Sequence, residues 1–111
     1  MNDDRAAALG RLRASAALEV RDLDESLHAL FEASKDTNAD DEHDPEGSTI
    51  AYERAQLTAV LDAARRRLGD LDEALARVED GTYGVCTVCR REIAAERLEA
   101  RPFARTCVEC A

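Results

Sequence analysis

Apolar residues recur along the first third of the chain at a seven-residue step. Leu9, Ala16, Leu23 and Leu30 form one series; Val20 and Leu27 continue a second, offset by four, which Arg13 interrupts at its N-terminal end. Two such stripes predict an amphipathic helix over 3–35 with a seam for a partner helix. The pattern returns more regularly over 45–80, where Ile50, Leu57, Ala64, Leu71 and Val78 repeat every seven residues and Leu61, Leu68 and Leu75 fill the complementary offset. Between the two helices the periodicity is lost. Residues 36–47 carry six acidic side chains and no lysine or arginine, together with Pro45 and Gly47, and this chemistry predicts a loop. The loop ends in a helix start: Asp44 suits the N-cap, Pro45 the first helical position, and Glu46 the positive end of the helix dipole. Gly81 stands where a glycine closes the second helix.

Each predicted helix is about 50 Å long at a rise of 1.5 Å per residue. A connection of about a dozen residues lets them fold back as an antiparallel coiled-coil hairpin over 1–80, with its acidic tip at 36–47. One continuous helix would hold Pro45 and Gly47 in its interior, which is costly. The stripes can also pair between two copies, but closure within one chain has the higher effective concentration, so a monomer is favoured.

Composition sharpens this reading. The hydrophobic fraction is an ordinary 45%, yet it is built on 21 alanines and 12 leucines, with 4% aromatic residues and no tryptophan. Such side chains line narrow helix–helix seams and do not fill a wide core. Scarce β-branched and aromatic residues exclude a broad sandwich or barrel and leave an all-α class. The net charge of −9 argues against direct binding to DNA or RNA and against anionic membranes, which both need clustered cations. No apolar run approaches the roughly 20 residues of a membrane span, and Met-Asn-Asp-Asp-Arg is not a signal sequence. A cytoplasmic location is expected, where four cysteines are seldom structural disulfides.

All four cysteines lie in the segment 81–111. Cys86 and Cys89 form one Cys-x-x-Cys pair and Cys107 and Cys110 another, with 17 residues between the pairs. Two such knuckles can set four thiolates tetrahedrally around one zinc ion. With every ligand position filled by protein, the metal is a structural staple for a segment poor in apolar groups, not a catalytic centre. No Ser/His/Asp arrangement and no phosphate-cradling glycine loop is present, and His28 and His43 lack plausible catalytic partners, so no enzymatic activity is expected. The segment also carries Arg90, Arg91, Arg97, Arg101 and Arg105 against Glu92, Glu96, Glu99 and Glu109. By charge and spacing alone they are either a solvated face or a contact for an acidic partner or phosphate.

The run Gly-Thr-Tyr-Gly-Val-Cys-Thr-Val-Cys (81–89), followed by Ile93, Arg97-Leu98-Glu99-Ala100-Arg101-Pro102, Ala104 and Cys107-Val-Glu-Cys110, resembles the DksA/TraR zinc-finger family. The preceding hairpin agrees with that family's coiled coil, so the resemblance covers most of the chain. It implies a transcription regulator that binds RNA polymerase. The zinc module docks on the enzyme, and the hairpin enters the secondary channel to modulate initiation. The tip residues this would use are Asp40, Asp41, Glu42, Asp44 and Glu46. Well-known members carry Asp-x-x-Asp-x-Ala at the tip; here Asp44-Pro45-Glu46 begins similarly, with Gly47 in place of the second Asp and Thr49 in place of Ala. Some members build a guanosine tetraphosphate site with polymerase. Arg101 matches one of its basic positions and Arg97 is a further candidate contact. Ala111 and Asp70 stand where basic residues belong, which weighs against an alarmone response. Arg90 replaces a glycine that often follows the first knuckle, and a tight turn there needs positive φ. Two rival readings remain: an adaptor of another assembly such as the ribosome, and a thiol oxidoreductase built on the two Cys-x-x-Cys pairs.

Overall fold

The computed structural model describes the backbone of residues 2–37 and 45–111 and the side chains of 4–35 and 48–111. Three helices follow one another, α1 (Asn2–Thr37), α2 (Pro45–Asp80) and α3 (Ala95–Ala100). Among the described residues there is no strand, only an isolated antiparallel bridge between Val85 and Glu92. α1 and α2 run antiparallel: Asp24 faces Arg65, and ten residues further along, Ser34 faces Arg54. The all-α hairpin followed by a four-cysteine module is thus the architecture that the heptads and the cysteine spacing predict. α2 has the expected bounds, while α1 runs one residue earlier and two later than 3–35. No described helix is long and apolar enough to cross a membrane.

The end of α2 is built as the glycine predicts. Gly81 adopts φ +82°, Thr82 N donates to Arg77 O at 2.9 Å, and Gly81 N donates to Val78 O at 3.4 Å. This is the pair of bonds that satisfies the last carbonyls of a helix when the residue after the cap is left-handed. Asp80 adds a second closure: its carboxylate accepts from the Thr82 amide at 3.0 Å and from the Thr82 hydroxyl. These bonds hold its carboxyl below the usual range.

The chain divides into two compact units, Ala16–Arg66 and Met1–Ser15 with Arg67–Ala111. In the first, Ala16, Leu61 and Ala64 are buried, and Val20, Leu23, Leu27, Leu30, Ile50 and Leu57 are half-buried. Alanine at these positions lets the helices approach closely, so a thin seam excludes water without large side chains. The same series continue into two polar residues that the apolar pattern does not mark. Ser34, seven residues after Leu27, is 7% exposed. Arg54, seven before Leu61, reaches it with Nη1 to Ser34 Oγ at 3.4 Å. The Arg54 guanidinium lies 4.1 Å from the centroid of the Phe31 ring, and its buried Nε has no hydrogen-bond partner. An unpaired buried donor of this kind costs roughly 1–3 kcal/mol.

In the second unit the seam is Leu9, Leu71 and Ala74, each 1% exposed or less. Ala74 lies outside the expected series, and Leu75, which lies in it, is only half-buried. A straight helix turns every 3.6 residues and not 3.5, so a strict heptad drifts by about 20° per repeat and the neighbouring position moves into the seam. Arg13, which breaks the stripe in sequence, is exposed and pairs through Nε with Asp72 Oδ1 at 2.6 Å. A solvated pair like this contributes at most about 1 kcal/mol.

Candidate metal centre

The cysteine module begins where α2 ends. Residues 83–93 turn back on themselves: Cys86 N donates to Arg91 O at 2.8 Å, and Ile93 N to Gly84 O at 2.7 Å. Within the first knuckle Arg90 N donates to Cys86 O at 3.0 Å, and Arg90 itself takes φ 66°. The second knuckle closes with Cys110 N to Cys107 O at 3.1 Å, and Thr87 N to Arg105 O at 2.9 Å ties the two together. Under them lies a small cluster of Cys86, Ile93, Leu98 and Ala104, against which Tyr83 and the other three cysteines pack. Leu98 comes from α3, six residues too short to show a period in the sequence. Pro102 lies two residues beyond α3, and it biases the residue before it away from helix.

Three side chains outside the knuckles hold the segment between α3 and the second pair. Tyr83 Oη donates to Pro102 O at 2.8 Å. Arg77 Nη2 of α2 donates to Phe103 O at 3.4 Å, and Arg97 Nε donates to Thr106 O at 2.8 Å. All three acceptors are main-chain carbonyls. Arg105 adds an exposed ion pair to Glu73 at 3.4 Å. The sequence contains no signal for this bracing, because a bond to a backbone carbonyl leaves no pattern in the acceptor's side chain.

This scaffold brings the four sulfurs together, each within 4.8 Å of every other. A tetrahedral zinc site with bonds of about 2.3 Å has edges of about 3.8 Å; Cys89 Sγ and Cys107 Sγ lie 3.8 Å apart. The donor set therefore fits one structural Zn2+, held by Cys86, Cys89, Cys107 and Cys110. It is one closed cluster and not two separate dithiols, as an oxidoreductase would need. Bonds from the Cys89 and Cys107 amides pull the Cys86 thiol down to about 6. Hydrogen bonding to Cys107, with burial, pushes Cys110 up to about 12. Four adjacent thiolates need a compensating cation, and zinc supplies it while cross-linking the two knuckles.

Arg97 and Arg101 line one cavity of about 300 Å³ together with Asp70, Phe103, Arg105 and Ala111. The structure thus gathers Arg101, Asp70 and Ala111, the positions compared above with an alarmone site. Arg101 lies 5.7 Å from the Phe103 ring centroid, and Arg97 serves the Thr106 carbonyl inside the module. Asp40, Asp41, Glu42, His43 and Asp44 lie outside the described residues, as does the side chain of Glu46 in the first turn of α2.

Comparison with known proteins agrees with this site. A model of the prokaryotic DksA/TraR C4-type zinc finger matches residues 81–111. YteA of Bacillus subtilis, an uncharacterised protein, is 38% identical over 79 residues, which is 71% of this chain and 33% of YteA. General stress protein 16O of the same organism is 40% identical over 73 residues, 66% of this chain and 45% of that protein. The RNA polymerase-binding transcription factor DksA of Caulobacter vibrioides is 44% identical over 57 residues, covering 51% of this chain and 40% of that factor. The aligned parts are thus less than half the length of each of these relatives. Among solved structures, transcription factor DksA2 from Pseudomonas aeruginosa superposes with a TM-score of 0.81 at 27% identity, over 98% of this chain and 78% of that one.

Proposed function

Because the chain belongs to the DksA/TraR family of C4-type zinc-finger proteins, we propose that it is a noncatalytic transcription regulator that binds RNA polymerase. The observation that carries this reading is the likeness to transcription factor DksA2, which extends over nearly the whole chain and is not confined to the zinc module. The relative named as an RNA polymerase-binding factor supplies the partner. In this reading the zinc module docks on the enzyme and the hairpin enters the secondary channel. The acidic run 36–47 works at the far end, with Asp40, Asp41 and Asp44 as its principal carboxylates. Those carboxylates would act by charge close to the catalytic centre, where an anion competes for or displaces bound cations and basic side chains.

A photo-crosslinking amino acid in place of Asp44, in the full chain mixed with core polymerase, tests this. Adducts are expected on polymerase segments that line the secondary channel. A companion chain with Asp40, Asp41 and Asp44 all changed to Asn is expected to bind within a few-fold of wild type, yet to lose its effect on initiation. Adducts confined to other surfaces of the enzyme overturn the insertion mechanism, and failure to associate with polymerase at all overturns the partner.

A further inference from the structure

Among the described side chains of the unit Ala16–Arg66, the seam between α1 and α2 is apolar along its repeating series except at one level. Stepping by seven through Val20 and Leu27 arrives at Ser34; stepping back by seven from Leu61 arrives at Arg54. These two meet, Nη1 to Oγ at 3.4 Å, with Ser34 buried and the Arg54 Nε shut away from solvent without a partner. Phe31 lies over the guanidinium at 4.1 Å. The ring stays 39% exposed, so it caps the cation more than it fills a core. The groove alongside, lined by Ala51, Ala55 and Thr58, is open, so close packing alone does not pin the arginine.

We infer that Arg54 is a positioning residue that sets the pairing register of α1 against α2 in the heptad next to the connecting segment. A seam of alanine and leucine is nearly degenerate under a slip of one heptad, because leucine then meets leucine again. A polar side chain in such a seam removes the degeneracy at some expense of stability. Here a one-heptad slip brings Arg54 opposite Leu27, without Ser34 or Phe31. The cation then has no acceptor and no ring in a buried setting, an unfavourable arrangement. The exposed pair Asp24–Arg65 is solvated and discriminates weakly, and Lys35–Glu32, which lies within α1, is unchanged by a slip. The inference stands apart from the polymerase reading.

The test uses the full zinc-loaded chain. Spin labels are carried on unnatural amino acids in place of Glu32 and Glu53, which leaves the four cysteine thiols untouched. A second pair at positions 22 and 62 serves as reference. In the Arg54→Leu chain, helicity and melting midpoint are expected to equal or exceed wild type. The 32–53 distance distribution is expected to gain a second population shifted by up to about 10 Å, one heptad of helix. Arg54→Lys, which keeps a cation in the seam, is expected to retain the single population. A single wild-type distance in the leucine chain overturns the inference, because register is then set elsewhere. Loss of helicity in that chain also overturns it, because the arginine is then scaffold. A lysine chain that behaves like the leucine chain overturns the role of the charge.

Discussion

Arg90 is the only residue other than glycine with positive φ among the described residues, and it sits in the turn that closes the first knuckle. A β-carbon in this conformation costs roughly 1–2 kcal/mol. Glycine avoids that strain but gives back about 0.4–1 kcal/mol through the greater freedom of the unfolded chain. Arg90→Gly is therefore expected to stabilise the zinc-loaded module by up to about 1 kcal/mol, seen as a higher denaturant midpoint for the environment of Tyr83. A lowered midpoint would mean that the arginine side chain offsets its own backbone strain. The strain was legible in the sequence, since the family pattern has glycine at that place. The work of Arg97 was not. Its Nε serves a carbonyl nine residues away, and only the folded path of 102–106 brings that carbonyl within reach.

At the scale of elements, the signals that were local were the ones that read correctly. Pro45 and Gly81 bound α2 because each acts through its own backbone geometry. The two Cys-x-x-Cys knuckles form one cluster because their turns follow from their spacing. α3 was invisible at six residues, and the polar step of Ser34 and Arg54 was invisible because a heptad reading counts only apolar positions. The zinc module has only Ile93 and Leu98 as buried large aliphatic side chains, worth at most about 1.5–3 kcal/mol each. Metal binding, of order 10 kcal/mol in comparable modules, has to supply the rest. Chelation is therefore expected to collapse the amide resonances of 81–111 towards random-coil positions. Most far-UV helical signal should survive, since α3 holds 6 residues against 36 in each of α1 and α2. Zinc uptake is expected to weaken as pH falls through about 6, where the Cys86 thiol regains its proton. Tail resonances that stay dispersed without metal would contradict this account.

Across the whole molecule the charge is unevenly placed. Residues 1–84 carry 20 acidic and 10 basic side chains, and 85–111 carry 4 and 5. Four thiolates and one Zn2+ shift the formal −9 by a further −2. Duplex DNA offers a phosphate every 1.7 Å and rewards proteins that displace its counterions. With 24 acidic against 15 basic side chains, no gel retardation of duplex DNA is expected in the micromolar range even at low salt. A salt-sensitive shift would contradict it and would point to the five arginines of the module. The bracing of 102–106 has a consequence for how this protein can diverge. Tyr83, Arg77 and Arg97 grip carbonyl oxygens, and every amino acid supplies one. Positions 103 and 106 are thus free to exchange side chains without loosening the grip. Exchange there would change the chemistry of the cavity they border, whereas a change at Tyr83, Arg77 or Arg97 would release the segment itself.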